Sequence, residues 1–194
     1  MDKTTPLPAP TPQPHVAALS VALAPGGGAE EGAAVTPPTQ FRLLPMGRFR
    51  AADGSGRPEG IPDGWLLDAT TAARLASQYA ARASRMVIDY EHQTLHAASN
   101  GQPAPAGGWI GQLEARADGL YAVEVEWTAA AAAMIEANEY RYISPVFSFD
   151  AETGKVLELL HAALTNSPGL DGLTDLARLA AVLLPAASGL SLAT

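Results

Sequence analysis

The chain has 194 residues, a net charge of −8 and no cysteine. That length suffices for one domain with a core and tails. The missing cysteine excludes disulfides, thiolate metal sites and a Cys nucleophile, and the acidic balance speaks against a general nucleic-acid surface, which leans on clustered Lys and Arg.

No run of about 18 apolar residues is present, so no membrane-spanning helix is expected. No apolar signal core precedes the Pro-rich start, and a soluble intracellular protein is the default expectation. Residues 1–39 are rich in Pro, Gly, Ala and Thr. Too few large apolar side chains are available there to offset ordering entropy. The segment is expected to be disordered and dispensable, with the patch at 16–23 unburied and His15 a solvated bystander.

Order is expected from Phe41. Residues 41–51 suit a strand broken at Pro45-Met46-Gly47, and 53–58 is loop chemistry. Asp68 reads as the N-cap of a helix over 69–84, with Ala72, Leu75, Ala76 and Tyr79 as its apolar stripe. Residues 86–89 form a short buried strand with His92 just past its end. Residues 100–108 hold Asn-Gly, two prolines and Gly107-Gly108, and predict a mobile loop. Residues 109–113 and 120–127 read as a hairpin turning at Asp118-Gly119, with Tyr121, Val123, Val125 and Trp127 on the buried face. Thr128 caps a short helix over 129–137. Strands over 141–149 and 156–165 follow, and leucines at 170, 173, 176, 179 and 183 predict a last helix. The expected class is α+β: a mostly antiparallel, barrel-like sheet flanked by helices.

Several residues could carry chemistry. Ser144 needs a base to become a nucleophile, and His92 and His161 are the candidates. Pro145 follows it and has no N–H, so an oxyanion donor would have to come from Arg141 or from a backbone N–H of Gly107 or Gly108. No nucleophile elbow surrounds Ser144, and pattern alone favours a buried serine in an apolar strand. His92 and His96 have the H-x-x-x-H spacing of zinc peptidases, but Gln93 stands where the general base would be. No metal site and no cofactor are expected from this. Asp89 and Glu91 could act as a carboxylate pair or orient His92. The preferred reading is that one of them orients His92 and the other is solvated.

Five blocks in order then carry a resemblance: Asp89-Tyr90-Glu91-His92-Gln93; Pro105-Ala106-Gly107-Gly108-Trp109-Ile110; Gly119-Leu120-Tyr121-Ala122 with Glu126-Trp127-Thr128; Glu139 through Phe147; and Ala162-Ala163-Leu164-Thr165-Asn166. The series resembles the Mu-like phage protease/scaffold family, and more distantly the prohead proteases and herpesvirus assemblins. The resemblance implies a protease domain over 40–184 and a tail over 185–194. It implies a serine endopeptidase that cleaves the internal scaffold, and itself, during capsid maturation in the host cytoplasm, inside the assembling prohead. Ser144 would be the nucleophile and His92 the general base. The implied partners are the scaffold protein and the major capsid protein, with a homodimer compatible and neither nucleic acid nor membrane involved. The alternatives are a non-catalytic capsid-assembly protein and a metal hydrolase using His92, His96 and His161. For the third catalytic member, a hairpin about the turn near Thr153 sets Ser144 roughly opposite His161, nine and eight residues from the turn, and assemblins use a His in that role. Asp89 and Glu91 lie too near His92 along an extended strand end to fold back onto its ring.

Overall fold

The computed structural model describes residues 15–18, 36–51 and 57–166. Eleven strands and three helices lie there: β1 (His15–Ala18), β2 (Phe41–Pro45), β3 (Gly47–Phe49), β4 (Trp65–Leu67), α1 (Ala69–Ala80), β5 (Met86–Tyr90), α2 (Gln93–Asn100), β6 (Gly108–Ile110), β7 (Gln112–Arg116), β8 (Gly119–Val123), β9 (Glu126–Trp127), α3 (Ala129–Glu136), β10 (Tyr142–Phe149) and β11 (Val156–Thr165). A six-stranded sheet has the order β1-β10-β11-β5-β6-β9, a three-stranded one β2-β8-β7, and a two-stranded one β3-β4. Pairing is antiparallel throughout the sheets except between β11 and β5. The α+β class and the flanking helices follow the sequence; the described sheets stay open and do not close into a barrel.

Local chemistry explains the boundaries. The Asp68 side chain accepts the Thr71 N–H at 2.7 Å and starts α1. Thr71, Ala72, Leu75 and Tyr79 make its buried stripe. The helix stops at Ala80 rather than near Ser84. Near its end the Tyr79 hydroxyl accepts the Met86 N–H at 2.8 Å and donates to the Ile110 carbonyl at 2.5 Å. One side chain thereby ties α1 to the start of β5 and the end of β6. Thr128 caps α3, and both its N–H and its hydroxyl donate to the Gly107 carbonyl.

The predicted hairpin around Asp118 divides between two sheets. β7 and β8 pair with Arg116 opposite Gly119, so Ala117 and Asp118 form the turn. Glu124 has φ of 53°, a left-handed conformation that breaks the strand before β9. The break reverses the inward face: Leu120 and Ala122 are buried in β8, Tyr121 and Val123 only partly, and burial resumes at Val125.

Residues 15–18 also depart from expectation. They pair along β10, with His15 opposite Phe149 and Ala18 opposite Val146. Main-chain hydrogen bonding to a sheet edge needs little side-chain burial of its own, which is why composition did not reveal it. The rest of the Pro-rich segment and the leucine-patterned helix after residue 166 lie outside the described residues.

The core joins the sheets through Trp65, Phe147, Phe41, Leu43, Leu44 and Ile88. Trp65 meets Phe147 edge-on at 5.5 Å between ring centroids and Phe149 at 5.8 Å. The β10–β11 turn is closed by Asp150, whose carboxylate accepts the N–H groups of Glu152 and Thr153. Gly154 at its end lies against β4: a Cβ there would stand 2.3 Å from the Gly64 carbonyl oxygen.

Replacing Tyr79 by Phe leaves a buried N–H and a buried carbonyl without their partner. We expect Tyr79→Phe to cost about 1–3 kcal/mol in urea unfolding, with the fold retained; a change near zero would show that the two backbone groups find other partners.

Candidate active site

β10 and β11 present Ser144 and His161 on one face by an indirect route. An unbroken hairpin closing at Phe149 opposite Val156 would set Ser144 opposite His161. The pairing shifts twice, between Val146 and Phe147 and between Ser148 and Phe149, so that Val146 faces His161 and Ser144 faces Ala163. Each bulge inserts one unpaired residue on β11. One bulge alone would turn His161 to the opposite face; two restore it to the face of Ser144, two pairs along the hairpin. The predicted direct pairing is thereby corrected to a diagonal one.

β5 supplies the rest. It runs parallel to β11 with Asp89 beside Ala163. Ser144, Ala163 and Asp89 thus line up across three neighbouring strands, and the small Ala163 side chain leaves room between the two polar groups. Beyond Tyr90 the chain reverses sharply. Glu91 and His92 have φ of 49° and 59°, two successive left-handed residues that are not glycine. This conformation costs of order 1 kcal/mol or more per residue and recurs at functional sites. It turns His92 back over the sheet, where its ring centroid lies 6.0 Å from that of His161.

The same reversal brings in Asp89. An extended strand end seldom folds a residue back onto its neighbour's ring, and the sequence ranked Asp89 behind His161 for that reason. Because the chain curls, one donor atom from each of Asp89, His92 and His161 lies within 4.8 Å of the others. Asp89 is fully buried. Its Oδ2 accepts the Thr94 N–H at 2.6 Å, which caps α2 in place of the His92 side chain, and lies 3.8 Å from His161 Nε2. That last separation is too long for a hydrogen bond. Asp89 Oδ1, His92 Nδ1 and His161 Nε2 are all buried without a hydrogen-bond partner.

Burial is the main influence on both histidines. It lowers the pKa of His92 and of His161 below the ordinary 6.5, while the Asp89 carboxylate pulls both the other way and each further lowering on His92 comes from His161 and His96. Burial thus favours the neutral form of both rings, the form a general base needs.

The other candidates separate from this cluster. Glu91 accepts the Thr165 hydroxyl at 2.8 Å and its N–H donates to the Leu164 carbonyl, so it anchors the turn instead of orienting His92. His96 is exposed on α2. The helix is an addition to the elements expected from the sequence, and it is short: Gly101 closes it after eight residues in a left-handed C-cap. Residues 101–107 remain a loop. The Gly107 N–H donates to the Ile88 carbonyl at 2.7 Å and is thereby spent as an oxyanion donor. Gly108 sits inside β6, where a Cβ would come within 2.9 Å of the Glu126 carbonyl oxygen, so close strand packing requires its glycine. Arg141 is half-buried just before β10.

A buried carboxylate facing two neutral imidazoles, with a serine on the same face, has the parts of an acyl-transfer site. The model of the Mu-like prophage I protein N-terminal domain matches residues 41–177. The chain belongs to that family. Protease I of Escherichia phage Mu is 40% identical over 147 residues, which cover 72% of this chain and 40% of that protein. The Mu-like prophage FluMu I protein of Haemophilus influenzae is 37% identical over 153 residues, 74% of this chain and 42% of that protein. The chain thus spans about two fifths of the length of these curated relatives. No solved structure matches it. Among the described residues no helix is long and apolar enough to cross a membrane.

The lowered histidine pKa values make a stability prediction. The unfolded chain takes up protons near 6.5, the ordinary value, and the folded site resists them. Stability is therefore full above that pH and falls as the pH drops through 6.5 toward the lowered folded values. We expect the melting temperature in metal-free buffer to decline over this window, and to decline less steeply in His92→Ala or His161→Ala. Equal slopes in wild type and both variants would locate the proton uptake elsewhere.

Proposed function

We propose that this chain is the catalytic domain of a phage serine endopeptidase acting in capsid maturation. The observation that carries the reading is the line Ser144–Ala163–Asp89 across β10, β11 and β5, with His161 diagonal to the serine and His92 folded back above them. The name of the phage Mu relative, Protease I, supports the reaction class.

In this reading Ser144 is the nucleophile and His92 the general base. Ser144 Oγ attacks the peptide carbonyl carbon while His92 takes its proton, and His92 then protonates the leaving amine as the peptide C–N bond breaks. Water repeats the sequence on the acyl-enzyme and regenerates the serine. His161, its Nε2 turned toward Asp89, stands behind His92, and the Asp89 carboxylate stabilises the positive charge that the two rings share in the transition state. Asp89 so joins His161 in the orienting role, and Glu91 leaves it. Arg141 remains the candidate for polarising the carbonyl, since Pro145 has no N–H. The substrates on this reading are the scaffold protein and the chain itself, with the major capsid protein as a further partner, inside the assembling prohead in the host cytoplasm.

The test is mass spectrometry of the protein co-expressed with its scaffold and major capsid protein. Ser144→Ala should lower cleavage by roughly 10³-fold or more, and His92→Ala comparably. His161→Ala and Asp89→Asn should each cost about 10- to 10³-fold, because they act on the base and not on the bond. Asparagine keeps the oxygen that caps α2, so an unchanged far-ultraviolet circular dichroism spectrum in Asp89→Asn would assign its loss to charge. Cleavage by Ser144→Ala at the wild-type rate would leave a non-catalytic assembly role or another nucleophile.

A further inference from the structure

We propose that Asp89, His92 and His161 form a binding site for a divalent transition-metal ion of the zinc class, and that its occupancy switches the peptidase off. The switching half rests on the serine-endopeptidase reading above; the binding half rests on geometry alone.

Two imidazoles and a carboxylate are the N/O ligand set of three-residue zinc sites. One donor atom from each already lies within 4.8 Å of the others. A tetrahedral ion with bonds of about 2.0–2.2 Å needs its donors roughly 3.3 Å apart, so modest side-chain rotations complete the set. A second observation points to a ligand. Asp89 is fully buried, and its Oδ1, His92 Nδ1 and His161 Nε2 all lack a partner. Buried polar atoms are ordinarily satisfied, and three orphaned atoms on three residues already clustered are what a cation would resolve. The carboxylate is also already oriented: the Thr94 N–H holds Oδ2 at 2.6 Å and leaves Oδ1 for the ion. His96, exposed on α2, stays outside the set.

The consequence for catalysis follows from the lone pairs. An imidazole bound to metal through Nδ1 carries its proton on Nε2 and has no lone pair left to take one from a serine. Metal and substrate chemistry therefore compete for His92. Three protein ligands leave a fourth coordination position, which water can fill.

The experiment is calorimetric titration of the metal-stripped full chain with zinc chloride. One saturable site is expected, at least ~10-fold weaker in Asp89→Asn and in His161→Ala, and unchanged in His96→Ala and in Ser144→Ala. Absence of saturable binding, or wild-type binding in both weakened variants with their folds intact, overturns the site. In the cleavage assay, zinc at the concentration that saturates the titration should lower wild-type cleavage by ~10-fold or more, with recovery on adding a chelator. A chelator that abolishes cleavage instead overturns the off state. Wild-type cleavage by Ser144→Ala sinks the serine reading, and with it the switching half, while leaving the titration result untouched.

Discussion

The buried Asp89 carboxylate is the constraint around which the site is built. A carboxylate removed from water is costly unless hydrogen bonds and opposite charge meet it. Here the meeting groups are the Thr94 N–H and the positive end of α2. The dependence runs both ways. At eight residues, with no buried side chain, α2 is too short to persist by itself, and Asp89 is what fixes its start against β5. His92 lies between the two, at the reversal, and its position follows from that cap. A residue that secures a helix and also faces two imidazoles couples local stability to chemistry.

The second constraint is parity along the β10–β11 hairpin. Strand side chains alternate, so any shift by an odd number would separate Ser144 from His161 by the thickness of the sheet. Two bulges near the turn absorb two residues of β11 and keep both groups on one face. The parallel pairing of β5 against β11 then brings Asp89 to the same face at the height of Ser144. Parallel neighbours demand a crossover connection, and the long stretch from β5 through α3 and β10 supplies it. Gly107 and Gly108 serve this geometry as backbone: one accepts α3 and donates to β5, and the other lets β9 pack close.

Much of this was legible in the residue order. Asp68 and Thr128 announced their helices because short polar side chains at those positions accept N–H groups that the first turn leaves over. Apolar runs marked β5, β10 and β11, and the five ordered blocks pointed to the family. What those signals share is that each acts within a few residues of its cause. β1 and α2 were missed for the complementary reason. One gains its order from a sheet edge far along the chain, and the other from a cap supplied by the preceding strand.

The sequence by itself determined which polar groups were available: Ser144 between apolar neighbours, His92 just past one strand and His161 within another, and carboxylates just before His92. Only the tertiary structure decided which of them meet. Asp89 ranked behind His161 because an extended strand end seldom folds back onto its neighbour's ring, and two left-handed residues reverse that geometry. Glu91, the nearer neighbour, is drawn off to Thr165. The diagonal register of Ser144 and His161 depends on two bulges that no composition signal marks. Backbone reversals and bulges are small local costs that long-range packing overrides, so their outcome is settled only when the sheets assemble.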